Sequence, residues 1–204
     1  MIEKICNFLT NKIRKEMPDL NEERLEVINY GLQLIIGEIP KMFLAVALAL
    51  LLGSVKLVLI TLLVLIPYRG FTGGFHLKTH IGCFICTTIM YSLPAILGKL
   101  FPITGIYEYA WTGLVFTFSL AMITIYAPAD TTYLPILTKK ERKLKKHASY
   151  TILIICIIVA IFIKDSIISN VILYTILMQT IAITKPAYKL SRCEYGYRNM
   201  VNQN

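Results

Sequence analysis

The sequence predicts an all-α fold: a polytopic helical membrane protein of about six transmembrane helices, preceded by an amphipathic helix at the membrane interface. Three observations carry this. Hydrophobic residues make up 56% of the 204 residues and charged residues only 16%, where a soluble domain carries about a quarter charged. Mean hydropathy is +0.63. The apolar residues fall in blocks long enough to enter a bilayer. Such a composition excludes a disordered chain, a soluble cytosolic enzyme and a coiled coil. Residues 1–204 read as one integral-membrane domain, with 1–24 as its interfacial segment and 25–204 as a helical bundle.

The first element spans residues 1–17. Ile2, Ile5, Cys6, Leu9, Ile13 and Met17 recur at spacings of three and four, while Lys4, Asn11, Lys12 and Lys15 lie off that stripe. A basic amphipathic helix of this kind lies in the headgroup plane. Met17-Pro18 ends it, because a residue before proline avoids the α region. Asp19 or Asn21 then caps the next helix, with Glu22 and Glu23 in its first turn. No apolar core of a cleavable signal peptide is expected in these charged residues.

A long apolar block follows from Leu25 to Ile66, broken naturally at Gly53-Ser54. Glu38, Pro40 and Lys41 interrupt its first half. Its second half, Val55 to Ile66, falls short of the roughly 20 residues of a full span. A tight hairpin of two passes is expected; a shallow or re-entrant pair, leaving four full passes, is the alternative. Four cleaner blocks come next: Ile81–Leu97, Tyr109–Ala127, Ala148–Ile163 and Ile167–Ile183.

The formal charge of +9 sits between these blocks. It is read as setting topology and touching anionic lipid rather than binding nucleic acid. An even number of passes places 17 of the 21 basic residues on one side, the cytoplasmic one by the positive-inside rule. Both termini, the 68–80 segment and the basic loop 139–146 then face the cytoplasm. The five cysteines do not form a disulfide framework, being odd in number and placed largely in apolar blocks.

The chemistry-bearing stretch is Tyr68 to Cys83. It sets Arg69, Gly70, Gly73, Gly74, His76, His80 and Cys83 between two apolar blocks. A thiol with a nearby imidazole is the minimum equipment of a cysteine nucleophile. On one continuous helix His76 and Cys83 would share a face but stand about 10 Å apart along the axis, beyond the contact of about 3–3.5 Å that a catalytic pair needs. For the pair to work, Gly73-Gly74 must fold the chain back and the helix must start near Thr79. Thr79 is then its N-cap, and the positive helix end helps stabilise a thiolate at Cys83. Rival readings stand beside this one. His76, His80 and Cys83 on a continuous helix form three of the ligands of a zinc site. Cys83 and Cys86 make a C-x-x-C redox pair, or both cysteines simply pack while His80 caps the helix.

The stretch from Tyr68 to Cys83 resembles the signature of the accessory gene regulator B (AgrB) family, membrane cysteine endopeptidases of bacterial quorum sensing. Arg69, Gly73-Gly74, His76 and Cys83 match it position by position. A second match is Tyr126-Ala127-Pro128-Ala129-Asp130, followed by Pro135 and a basic run; Tyr30-Gly31-Leu32-Gln33 resembles the family's first helix. The resemblance implies that Cys83 is the nucleophile and His76 the general base. The expected substrate is a short AgrD-like precursor peptide, cut on its C-terminal side through a thioester on Cys83. An internal cysteine or serine then closes a thiolactone or lactone, yielding an autoinducing peptide. No metal and no cofactor is assigned.

Within that reading Arg69 and the Gly73 and Gly74 backbone are candidates for oxyanion or site support. Glu38, Tyr126, Pro128, Asp130 and Pro135 are candidates for the substrate cleft or for orienting the dyad; Glu38 equally suits a pair with Lys41 on the adjoining turn. Membrane lipid is an expected partner, and the resemblance admits a homodimer. The competing function, from another class, is a membrane protein that binds or transports a peptide without cutting it.

Overall fold

The computed structural model describes residues 2–51, 53–75, 77, 79–131, 136 and 138–193. Eight helices follow in order among them: α1 (Ile2–Glu16), α2 (Glu22–Leu51), α3 (Val55–Thr72), α4 (His80–Leu100), α5 (Ile106–Tyr126), α6 (Lys139–Phe162), α7 (Ser166–Ala182) and α8 (Lys185–Leu190). Among the described residues, α2 to α6 each hold a stretch long and apolar enough to cross a membrane, and α7 is a shorter apolar helix.

The helix α1 packs along the start of α2. Cys6 and Thr10 on one side and Leu25 on the other are buried. Asn29 donates from Nδ2 to Asn7 Oδ1 at 2.6 Å, and Arg14 pairs with Glu22. The predicted apolar stripe is only partly used in this seam, since Ile5 and Met17 stay exposed. Of the two candidate caps for α2, Asn21 serves, accepting from the Arg24 N–H at 3.0 Å.

Three expectations about the spans are corrected. Glu38, Pro40 and Lys41 do not interrupt α2; the two charges pair three residues apart on adjoining turns, Nζ to Oε1 2.6 Å. The short second half of the hairpin is an 18-residue helix, because α3 runs on through Pro67, Arg69 and Gly70 to Thr72. It packs against α7 within the bundle and is long and apolar enough to cross a membrane. The basic run 139–146 is the start of α6, not a loop. Thr138 caps it, accepting from Glu141 N at 3.3 Å, and Glu141 pairs with Lys145 at 3.2 Å. A capping hydroxyl and an acid in the first turn offset the misfit of so many cations at a positive helix end.

The centre of the bundle is α7, which touches α3, α4, α5 and α6. Its length of 17 residues suits an element ringed by others. Gly98 lets α4 come close, since a Cβ there would lie 2.4 Å from Val171 Cγ2. Several polar residues of α7 are fully buried, and Thr175, Gln179 and Thr180 are joined to protein partners. Thr175 donates to the Val171 carbonyl at 2.6 Å, and Thr180 donates to Ser119 at 3.0 Å while sharing a 3.0 Å bond with the Tyr68 hydroxyl. A buried hydroxyl without such a partner costs on the order of 1–3 kcal/mol. Large apolar side chains such as Phe43, Leu63, Ile106 and Phe162 face outward, as suits a bundle surrounded by hydrocarbon.

Candidate active site

The predicted Gly-rich turn begins where α3 ends. Gly73 has φ +77° and ψ −153°, a backbone region open essentially to glycine alone. Its N–H donates to the Arg69 carbonyl at 2.9 Å, closing the helix. The turn then pairs with the segment after α5. Gly74 N–H donates to the Ala129 carbonyl at 2.9 Å, and Ala129 N–H to the Thr72 carbonyl at 2.8 Å. A Cβ on Gly73 would fall 2.1 Å from the Ala129 oxygen. The two stretches singled out in the sequence, Tyr68–Cys83 and Tyr126–Asp130, are thus physically joined.

Both sides of this junction are held from behind. The Tyr188 hydroxyl on α8 lies 3.0 Å from the Ala129 carbonyl and 3.1 Å from that of Asp130. The buried Asp130 carboxylate accepts from Ile136 N–H at 3.0 Å and from Arg142 Nη1 at 3.0 Å. Arg142 Nη2 also donates to the Pro128 carbonyl at 3.2 Å. Tyr126 is half-buried against the core. Asp130, Pro128 and Tyr126 therefore shape residues 126–131, with Asp130 also fixing Ile136.

Arg69 faces inward. Its Nη2 donates to the Phe75 carbonyl at 2.8 Å, and Nη1 donates to Gln179 Oε1 at 3.3 Å and to Met90 Sδ at 3.5 Å. The Nε2 of Gln179 donates in turn to Thr72 Oγ1 at 2.9 Å and to the Gly73 carbonyl at 2.7 Å. Arg69 and Gln179 together hold the turn in shape. The N–H groups of Gly73 and Gly74 are both engaged in that turn, so these glycines act through backbone conformation and close approach.

Cys83 lies in the first turn of α4, whose N-cap is Thr79, accepting from Gly82 N–H at 3.2 Å. The expected start of this helix near Thr79 is met. Residues 73–75, 77 and 79 are not helical, so the continuous helix that the zinc reading needs is absent, and Thr79 rather than His80 is the cap. From α2, Lys41 Nζ approaches the Cys83 sulfur at 3.6 Å while bound to Glu38 Oε1 at 2.6 Å. The other Glu38 oxygen accepts from the Tyr91 hydroxyl on α4 at 2.7 Å. Lys41 is 8% exposed. A thiol at a helix N-terminus, touched by an ammonium, is equipped to attack an electrophilic carbonyl.

A cavity of about 530 Å³ opens beside this cluster. Ile35, Ile39, Met42, Leu65 and Ile66 give it an apolar wall; Glu38, Arg69, Tyr91 and Lys145 supply polar groups, and Gly73, Gly74 and Ala129 close one side. Such a mix of apolar lining and few polar groups is typical of ligand sites.

The structure thus brings Arg69, Gly73, Gly74, Glu38 and the 128–130 segment to one region, with Cys83 joined to it through Lys41 and Glu38. His76 and Pro135 lie outside the described residues. Among the described residues no cluster of His, Cys, Asp and Glu suits a metal ion. Sequence reasoning missed Gln179, Tyr91 and the reach of Lys41 to Cys83. A polar or charged residue inside an apolar block was the available signal, but its partner lies on another helix.

Comparison with known proteins adds to this geometry. The sequence model of the family described as Accessory gene regulator B matches residues 6–183. The chain is 28% identical to an AgrB-like protein of Listeria monocytogenes over 197 residues, covering 95% of this chain and 91% of that one. It is 27% identical over 175 residues to an AgrB-like protein of Clostridium beijerinckii, covering 80% and 86%. AgrB-like protein 1 of Clostridium perfringens is 30% identical over 168 residues, covering 81% and 87%. No solved structure matches the chain.

Proposed function

The chain belongs to the accessory gene regulator B family, and from that premise we propose that it is a multi-pass membrane cysteine endopeptidase that processes a quorum-sensing peptide precursor. Family membership supports the role in agr peptide processing and an AgrD-like precursor as partner. The observation that carries the enzymatic reading is Cys83 itself, in the first turn of α4 beyond the Thr79 cap, with the ammonium of Lys41 at its sulfur.

In this reading the Cys83 thiol gives its proton to His76, and the sulfur attacks the scissile carbonyl of the precursor. The carbon–nitrogen bond breaks, the released amine takes the proton from His76, and the N-terminal part remains as a thioester on Cys83. A thiol or hydroxyl within that part attacks the same carbonyl, its proton passing to His76, and the sulfur leaves as the ring closes. The apolar cavity beside Glu38 and Arg69 suits large apolar residues near the cut and limits water, which favours ring closure over hydrolysis. The basic start of α6 faces the cytoplasmic leaflet with the site, touching anionic lipid.

The test is co-expression with short peptides encoded beside its gene, followed by mass analysis. Cys83→Ala and His76→Ala are expected to abolish cleavage while the protein still inserts, Cys86→Ala to leave it intact, and the wild-type adduct to map to Cys83. Cleavage persisting in Cys83→Ala overturns the enzymatic reading in favour of peptide binding or transport.

A further inference from the structure

We propose that Lys41 is a further catalytic residue: its ammonium stabilises negative charge on the Cys83 sulfur and then on the carbonyl oxygen that the sulfur attacks. The inference rests on the reading of Cys83 as the nucleophile. It goes beyond the pairing of a cysteine with a histidine, because it assigns the electrostatic work to a helix 42 residues away in sequence.

A lysine in an apolar membrane helix is costly and is retained where it has a partner or a task. Neutralising its charge needs only Glu38, one turn away on the same helix, at 2.6 Å. The contact with Cys83, 3.6 Å from Nζ to Sγ, is not required by that pair. The remaining geometry fixes the ammonium in place. Glu38 holds Lys41 with Oε1 and the Tyr91 hydroxyl with Oε2, so the carboxylate is tethered at both oxygens, once to each helix. The lysine side chain is 11% exposed, so little water screens its charge. Of the other cations near the cavity, Arg69 has its donors on Phe75, Gln179 and Met90 and serves the turn, and Lys145 pairs with Glu141 at 3.2 Å on its own helix.

The charge balance is simple. Cys83 gives its proton to the general base, and the sulfur lone pair forms the carbon–sulfur bond as the carbonyl π pair moves to oxygen. Lys41 keeps its proton throughout. Its ammonium faces first an anionic sulfur and then an oxyanion on the carbon bonded to that sulfur. When the intermediate collapses, the pair returns from oxygen and the amine departs with the proton of the base. Glu38 and Tyr91 act through Lys41 and are positioning residues.

The experiment uses the full chain in membranes with its precursor peptide. It reads two rates: precursor cleavage, and alkylation of Cys83 by iodoacetamide, followed by mass analysis of the Cys83 peptide. Lys41→Met is expected to slow cleavage by about 100-fold or more, the usual loss on removing one oxyanion donor. It should slow Cys83 alkylation by about tenfold, with the thermal midpoint in detergent retained. Lys41→Arg is expected to restore part of both rates. If Lys41→Met does not accumulate, Glu38→Gln combined with Lys41→Met removes the pair together, leaves no uncompensated buried charge and is read in the same way. Alkylation of Cys83 at the wild-type rate in these variants overturns the proposal, as does a Lys41→Arg variant no better than Lys41→Met. Cys83→Ala distinguishes the two levels. If it still cleaves, the nucleophile assignment fails. If it is inert while Lys41→Met keeps wild-type rates, the role of Lys41 alone fails.

Discussion

At one end of the bundle the helices are joined by connections of three, five and three residues, after α2, α4 and α6. The side chains there cap a helix start or bridge neighbouring connections through single hydrogen bonds. Asp165 accepts from the N–H groups of Ile167 and Ile168 at the start of α7, Asn170 donates to the Ile103 carbonyl at 2.8 Å, and Ser166 donates to Glu108 at 3.1 Å. At the opposite end, seven residues separate α3 from α4 and twelve separate α5 from α6. Their shape depends on partners remote in sequence: Gly73 on Ala129, Arg69 on Gln179, Asp130 on Arg142. The difference teaches where function can reside in a hydrocarbon-embedded fold. Short turns satisfy the backbone cheaply and leave little to aim. The longer connections need side chains from several helices to hold them, and Gly73, Ala129 and Asp130 from them line the cavity with Arg69.

The largest break in this comparison is expected at Gly73. Alanine there must adopt φ +77° and place its Cβ 2.1 Å from the Ala129 oxygen. The backbone penalty and the clash with a fixed carbonyl add to about 3 kcal/mol or more. Gly73→Ala is expected to lower the thermal midpoint of the detergent-solubilised protein by about 6–12 °C, at roughly 2–4 °C per kcal/mol for a chain of this size, and to abolish precursor cleavage. A variant with a normal midpoint and normal cleavage means that the turn is not held as described.

Gln179→Leu comes next. It removes the donor to Thr72 Oγ1 and the Gly73 carbonyl, and the acceptor for Arg69. The expected cost is about 2–4 kcal/mol, from unpaired buried groups including a charged one. Cleavage should fall with the midpoint, since Arg69 loses a tether. If the midpoint falls while cleavage per folded molecule is unchanged, Gln179 belongs to the bundle core and not to the site.

The same contrast explains what the sequence made legible. Interactions within a turn or two were readable: Thr79 as the cap of α4, Asn21 as that of α2, and Glu38 with Lys41 across a single turn. The all-helical class and five of the apolar spans followed from hydropathy. What remained hidden was long-range. Pro67, Arg69 and Gly70 read locally as the end of a short segment, yet α3 continues through them, because Gln179 and the Phe75 carbonyl satisfy the guanidinium and the packing on α7 outweighs local preference. The basic run 139–146 read as a loop because it lies between two apolar blocks; Thr138, Glu141 and the pairing of Arg142 with Asp130 start the helix there. The approach of Lys41 to Cys83 had no local signal, since spacing along a chain says nothing about which helix faces which.

The smallest effect is expected at the far end, where it serves as the control for Gly73. Gly53 also has a positive φ, +58°, in the turn between α2 and α3. A Cβ there meets nothing within 4 Å, so Gly53→Ala carries the left-handed backbone penalty without a clash. That penalty is about 1–2 kcal/mol, partly offset by the lower entropy of the unfolded chain with alanine. The net cost is about 1 kcal/mol, a midpoint shift of about 2–4 °C, with precursor cleavage at the wild-type rate. Two glycines with similar φ thus separate conformational strain from close approach. If Gly53→Ala lost as much stability as Gly73→Ala, positive φ alone would account for both. The junction of Gly73 with Ala129 would then not be what makes the site end depend on distant partners.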